Sequence, residues 1–187
     1  IQAEAKRHGV DAPFLRPPEL ATDDATSESV IVHAMDWVET HEGGSYDAVM
    51  LLEPAAPFTR AEDYDGAIEL MRQREASVVV CVTRVAVDSV FVGPLDENGR
   101  LTSVIYKMNA WQEKGRPALA AEYTMNAALY VFRWEHFRRT GKIYCDRERT
   151  YGYVMEANYS MEIDNPIELH EARFRVSAGL VNMEHWR

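Results

Sequence analysis

Near the end of the chain two carboxylates are separated by one isoleucine, in Ser160-Met161-Glu162-Ile163-Asp164-Asn165-Pro166. In a strand, side chains at i and i+2 leave on the same face. Glu162 and Asp164 would therefore present two hard oxygen donors side by side while Ile163 points into the core. A magnesium ion is typically held by such a pair, with water and substrate phosphates in its other positions. The same residues also read as a plain strand end, with Asp164 capping a helix that begins at Asn165-Pro166. The motif alone leaves both readings open.

Three further groups have chemistry in reach. In Arg16-Pro17-Pro18-Glu19-Leu20-Ala21-Thr22-Asp23-Asp24-Ala25-Thr26-Ser27 the prolines hold the backbone extended, and a hydroxyl pair sits at a helix N-terminus. Free N–H groups there favour an anion or a base carbonyl, and Arg16 adds a planar fork. Glu53, in Leu52-Glu53-Pro54-Ala55-Ala56-Pro57, follows a strand that reads as parallel, and ligands of open α/β sheets bind outside such carboxyl ends. Arg116, Asn126 and Tyr130 supply a cation, an amide and a phenol that could grip an acidic, hydroxylated ligand. The plain counterparts are a surface loop with an ordinary cap, and a tyrosine that fills the core with its hydroxyl satisfied. The histidines (His8, His33, His41, His136, His170, His185) show no metal spacing, and His33 reads as structural. No P-loop, GxGxxG fingerprint, nucleophile elbow or triad is present.

Composition narrows the class. In 187 residues, 20 Lys and Arg stand against 30 Asp and Glu, a formal charge of -10 that argues against blanket phosphate neutralisation on nucleic acid. A hydrophobic fraction of 47% with 27% charged is that of a globular domain with a sizeable core. Cys81 and Cys145 make neither a disulfide framework nor a zinc quartet, so a reducing compartment is expected. The longest apolar run, Ala76 to Val82, is far short of the ~20 residues that cross a bilayer, and no leader precedes it. We expect a cytoplasmic protein that binds neither membrane nor nucleic acid. Ile1 opens what looks like the second half of an amphipathic helix ending at Gly9, so more chain is expected before it.

The elements that must position these residues alternate between helix and buried strand. Ser27 to Thr40 carries helical apolar spacing behind Thr26 or Ser27 as cap. Asp47 to Leu52 reads as a strand buried on both faces and stopped by Glu53-Pro54. A helix starts around Thr59-Arg60-Ala61-Glu62 and runs to about Arg74, and Ser77 to Val82 is an apolar, β-branched strand. Strand, helix, strand with short links implies a βαβ unit and a parallel sheet. Val90 to Val92, the turn Asp96-Glu97-Asn98-Gly99 and Leu101 to Tyr106 read as a β-hairpin. Ala127 to Phe132 is another buried strand, Trp134 to Thr140 a helix stopped at Gly141, Tyr159 to Ile163 a last short strand, and Pro166 to Arg173 a helix. No linker or repeat appears, so one domain is expected.

Taken in order, Arg16 to Ser27 (RPPELATDDATS), Leu51 to Asp63 (LLEPAAPFTRAED), Ser77 to Val82 (SVVVCV), Asn126 to Tyr130 (NAALY) and Met161 to Leu169 (MEIDNPIEL) resemble the acylneuraminate cytidylyltransferases, also called CMP-sialic acid synthetases. The resemblance covers most of the chain and is weakest over 86–115. It implies an α/β, Rossmann-like three-layer fold with a mostly parallel central sheet, and a small β-hairpin dimerisation element over 87–123. It also implies transfer of CMP from CTP to the anomeric hydroxyl of an acidic nine-carbon keto sugar, with release of pyrophosphate. By the same resemblance Arg16 and Ser27 contact the cytidine part, and Glu53 stands at the glutamine of the family's strand-end loop. Arg116, Asn126 and Tyr130 fall on the sugar side. Glu162 and Asp164 fall on the paired aspartates that bind Mg2+ and serve catalysis.

Several positions depart from the family pattern. Glu53 replaces a glutamine, Ala55-Ala56 a Thr-Ser, Ala127 a glycine and Glu162 an aspartate. The family's glycine-rich phosphate loop precedes the part matched here. These differences keep two alternatives open: a non-catalytic homologue that binds nucleotide or sugar, and a cytidylyltransferase for an eight-carbon keto acid. A homodimer is expected from the family and from the hairpin with an exposed Trp111.

Overall fold

The computed structural model describes residues 2–184; Ile1 and residues 185–187, His185 among them, lie outside the described residues. The chain folds into two compact units, one from residues 1–49 and 132–147, the other from 50–131 and 148–187.

In the first unit, α1 (Gln2–Arg7) ends ahead of Gly9, whose φ of 75° suits only a residue without a side chain. A 3-10 turn at Pro18–Leu20 leads to α2 (Ser27–His41), capped by Thr26, whose hydroxyl accepts the Ser29 N–H at 3.2 Å. Ile31 and Met35 are its buried stripe. Phe14 packs on His33 and Trp37 with ring centroids 5.4 and 5.2 Å apart, so His33 is engaged in packing as its spacing suggests. α5 (Trp134–Thr140) is tied to α2 by Arg138, which binds Asp36 and Glu39 at 2.7 Å each, and by the Trp134 indole N–H donating to Glu39. Gly141 closes α5 in the left-handed conformation.

A four-stranded mixed sheet, most of it in the second unit, has the order β1-β3-β2-β4, from β1 (Ala48–Leu52), β2 (Val78–Arg84), β3 (Tyr123–Arg133) and β4 (Thr150–Val154). β2 and β4 run parallel in a register that pairs Val78 with Thr150 and Val82 with Val154. α3 (Ala61–Gln73) buries Ala67 and Met71. Gly66 lets α3 lie directly on β4, because a Cβ there would come within 2.5 Å of the Tyr153 ring. α4 (Thr102–Glu113) and α6 (Pro166–Ser177) complete the unit. Among the described residues no helix is long and apolar enough to cross a membrane.

Four sequence expectations are corrected. The segment read as the second strand of a hairpin is helical: Val104, Met108 and Trp111 recur at i, i+4 and i+7, and Val104 is buried. The turn itself is present, with the Asp96 carboxylate accepting the N–H groups of Asn98 and Arg100, but it feeds α4 after a 3-10 turn at Ser89–Phe91. Trp111 is half-buried, edge-on to Phe91 at 5.7 Å with its N–H on the Pro117 carbonyl. β1 is half-buried with Leu52 exposed, because it is an edge strand of the sheet. β4 is a strand that the sequence does not signal, since Thr150-Tyr151-Gly152-Tyr153-Val154 has a glycine at its centre and no apolar run.

Candidate functional site

The segment that carries the two carboxylates belongs to no strand, which corrects the expected strand over Tyr159 to Ile163. A turn places the Tyr159 and Ser160 N–H groups on the Glu156 carbonyl, at 3.0 and 3.1 Å. Met161 then enters a core cluster with Phe58, Tyr159, Ala172 and Val181, and Ile163 packs against the same cluster. The Ile163 N–H donates to the Ala55 carbonyl at 2.8 Å, so one backbone bond fixes the segment to the loop after β1. Met161 and Ile163 are spent on the core, while Glu162 between them is half-buried and Asp164 is exposed.

The loop after β1 is itself braced. The Glu53 N–H donates to the Ala128 carbonyl at 3.2 Å, the Ala56 N–H to the Glu53 carbonyl, and the Thr59 hydroxyl to the Ala56 carbonyl. Glu53 is half-buried.

The cap of α6 is Asn165, which corrects the assignment of that role to Asp164. Its Oδ1 accepts the N–H groups of Ile167 and Glu168 at 2.9 and 3.1 Å. The Glu168 carboxylate in turn accepts the N–H groups of Asn165 and Asp164 at 3.1 and 2.7 Å. The Asn-Pro-Ile-Glu spacing announces this capping box, and with Asn165 carrying it the Asp164 carboxylate is left over. Among the described residues neither Glu162 nor Asp164 has a side-chain hydrogen bond or ion pair. Burial pushes the Glu162 carboxyl above its ordinary range, and the charges of Asp164, Glu53 and Glu168 push it the same way.

Two unpartnered hard oxygens with further carboxylates near them suit a divalent cation that brings some of its ligands with it. Among the described residues no group of three or more His, Cys, Asp or Glu side chains gathers at one point that could hold a metal alone. Any metal at this pair therefore needs water or substrate oxygens, as the sequence reading expects of magnesium.

The remaining candidates are distributed. Asn126 lies in β3 and is joined to the carboxylate segment by its amide, which donates to the Ser160 hydroxyl at 2.7 Å. Tyr130 is half-buried further along β3. Arg116 is exposed just beyond α4 at a φ of 54°, and its guanidinium makes no hydrogen bond or ion pair among the described residues. Arg16 and Ser27 belong to the first unit, both exposed: Arg16 precedes the Pro18–Leu20 turn, and Ser27 is the first residue of α2.

Sequence reasoning missed the cation beneath this region. Arg60 forms a fork with the fully buried Asp63, Nε to Oδ2 at 3.0 Å and Nη2 to Oδ1 at 3.2 Å, and lies 3.9 Å over the Tyr159 ring. It also reaches Glu62 at 2.7 Å and Glu156 at 3.4 Å. No periodic signal marks such a pair; only the three-residue spacing at a helix start hints at it.

No family model matches the chain. The chain is 29% identical over 171 residues to an N-acylneuraminate cytidylyltransferase of Escherichia coli, aligned over 91% of this chain and 38% of that protein. It is 22% identical over 169 residues to a CMP-N,N'-diacetyllegionaminic acid synthase of Legionella pneumophila, over 88% of this chain and 68% of that one. The chain thus spans well under half the length of the first relative. That relative carries the name of the family whose motifs Arg16 to Ser27, Leu51 to Asp63 and Met161 to Leu169 resemble.

Proposed function

We propose that this chain is the nucleotidyltransferase domain of a cytidylyltransferase that moves CMP from CTP onto the anomeric hydroxyl of a sialic acid or related nonulosonate, releasing pyrophosphate. The observation that carries the reading is the pair Glu162 and Asp164, both without a partner among the described residues and held beside the Glu53 loop. Similarity over most of the chain to two nonulosonate-named proteins supports the substrate class.

In this reading the sugar oxygen forms a bond to the α-phosphorus as the bond to pyrophosphate breaks, and charge builds on the phosphoryl oxygens. Glu162 and Asp164 would hold Mg2+, which when bound supplies charge neutralisation and Lewis-acid polarisation. Arg16 offers the cytidine part a planar fork, and Ser27 stands at a helix N-terminus whose free N–H groups favour acceptors. Arg116, whose guanidinium has no partner among the described residues, suits the sugar carboxylate, and Tyr130 a sugar hydroxyl.

The finer features belong to the same proposal: a Rossmann-like, mostly parallel three-layer domain, nine-carbon specificity, and a homodimer formed through 87–123. Exposed Val87, Val92, Leu95, Leu101, Ile105 and Tyr106 support the dimer. The free thiols of Cys81 and Cys145 support a reducing, cytoplasmic setting.

The test is pyrophosphate release by the full-length protein from CTP with a panel of eight- and nine-carbon keto acid sugars, with and without Mg2+. Metal-dependent release with a nine-carbon acid is expected. CTP binding by calorimetry without turnover on any sugar would refute the enzyme in favour of a binding homologue.

A further inference from the structure

We propose that Asn126 is a positioning residue: its amide holds Ser160, and through Ser160 the segment that carries Glu162 and Asp164, instead of gripping the sugar. The role of the carboxylates in this inference rests on the metal-dependent transfer proposed above. A carboxamide has two N–H donors and two acceptor lone pairs. Here Nδ2 donates to the Ser160 hydroxyl at 2.7 Å and contacts the Met155 sulfur at 3.2 Å, while Oδ1 accepts the Ala128 N–H at 3.3 Å. One lone pair is left, on a residue only 7% exposed. The amide is consumed inside the protein, which is the opposite of what a ligand contact needs.

The backbone around Asn126 is shaped for the same task. Ala127 has φ of 50°, the left-handed region that a Cβ disfavours, in the middle of β3. That kink brings the Ala128 N–H back onto the Asn126 side chain, across two residues. A strained residue inside a strand persists where its surroundings over-determine it. Here the surroundings are the Ser160 contact on one side and the pairing of Ala128 with Glu53 on the other. Asn126 and Ala128 therefore touch both ends of the candidate site: Ser160 leads to Glu162 by two residues, and the Ala128 carbonyl receives the N–H of Glu53.

The test compares Ser160→Ala, Ser160→Thr and Asn126→Ala in the full-length protein, reading the Mg2+ activation constant, the KM for the sugar, and Mn2+ binding by electron paramagnetic resonance. Loss of one buried hydrogen bond should raise the metal constant about tenfold in Ser160→Ala and Asn126→Ala. The sugar KM should change less than about twofold, a difference too small to count as a lost contact. Ser160→Thr keeps the hydroxyl and should keep the wild-type metal constant. Ser160→Ala removes a single oxygen, so it reads the idea even if Asn126→Ala fails to fold.

A raised sugar KM with an unchanged metal constant would return Asn126 to the sugar and overturn the inference. A lowered melting temperature with both constants unchanged would also overturn it, leaving a purely structural contact. If the wild type releases no pyrophosphate but binds Mn2+, weaker binding by Ser160→Ala sustains the positioning role while the transfer reaction falls. Equal Mn2+ binding by wild type and Ser160→Ala, or none by either, overturns it.

Discussion

Asp63→Asn probes the buried partner of Arg60, the half-buried cation that packs on Tyr159. The Asp63 carboxylate is fully buried and accepts three N–H groups from Arg60: the backbone N–H at 2.9 Å, Nε at 3.0 Å and Nη2 at 3.2 Å. An amide of nearly the same shape turns one acceptor oxygen into a donor that faces another donor, and it removes the buried negative charge that faces the guanidinium. Breaking one side of a buried ion pair costs about 3–5 kcal/mol. Arg60 retains Glu62 and Glu156, whose side chains are 60% and 57% exposed, and exposed partners return little. The loss should fall at the low end, about 3 kcal/mol, against a total stability of order 5–15 kcal/mol.

For a chain of this size that lowers Tm by about 6–12 °C, at 2–4 °C per kcal/mol. Urea unfolding and calorimetry read it directly, with Glu62→Gln as the exposed control expected to cost less than about 1 kcal/mol. Hydrogen exchange at Tyr159 to Ile163 should accelerate, because Arg60 covers the Tyr159 ring and binds Glu156. A loss below about 1 kcal/mol for Asp63→Asn would mean that the pair contributes no more than a surface bridge, and would refute the reasoning.

Glu162→Gln and Asp164→Asn should each cut turnover by about a hundredfold or more without lowering the melting temperature, since among the described residues neither carboxylate has a partner to lose and neutralising Glu162 relieves its burial and like-charge cost. Chelation should abolish turnover and added Mg2+ restore it; a loss in melting temperature with activity kept would mark the acids as structural. Glu53→Gln removes one neighbouring negative charge and should weaken Mn2+ binding by about two- to threefold, measured by paramagnetic resonance. In alkylation followed by mass spectrometry at pH 8, the exposed Cys145 should react in the folded protein and the buried Cys81 only after unfolding. Burial pushes the Cys81 thiol from 9.0 up to about 12, so the folded state favours the neutral form. Its contribution to stability is full below pH 9 and should decline as pH rises from about 9 to 12, a slope that Cys81→Ala should remove. Ile105→Glu should shift a dimer to monomer in light scattering without unfolding α4, because Ile105 is exposed on the helix.

The sequence marks elements well where burial and period agree. Val78 to Cys81 are all buried and β-branched or small, and the run reads as a strand to within a residue of its start. It fails where two periods are compatible with a short run. Leu101 to Tyr106 shows apolar residues at 101, 104, 105 and 106, which suits a strand until Met108 and Trp111 extend the helical spacing. For the site, the apolar positions of the pattern are legible: Met161 and Ile163 join the core as expected, although the segment pairs with no strand. What stays hidden depends on tertiary contact: the Asn126 bond to Ser160 spans 34 residues, and no local pattern predicts which buried amide meets which hydroxyl.

The electrostatics of the site set a condition on its substrates. CTP and a keto acid sugar are both anionic, while Glu53, Asp164 and Glu168 act on Glu162 as negative charges in a chain of net charge -10. Two bare carboxylates repel a triphosphate, so the pair works for binding only if a cation comes with the nucleotide or before it. Arg60 does not stand in for that cation, because it is committed to the buried Asp63. Mg2+ and CTP should therefore bind with positive coupling, each raising the affinity of the other by the same factor. Neutralising both acids, as in Glu162→Gln with Asp164→Asn, should abolish that coupling, and metal-free CTP should then bind at least as well as it does to the wild type.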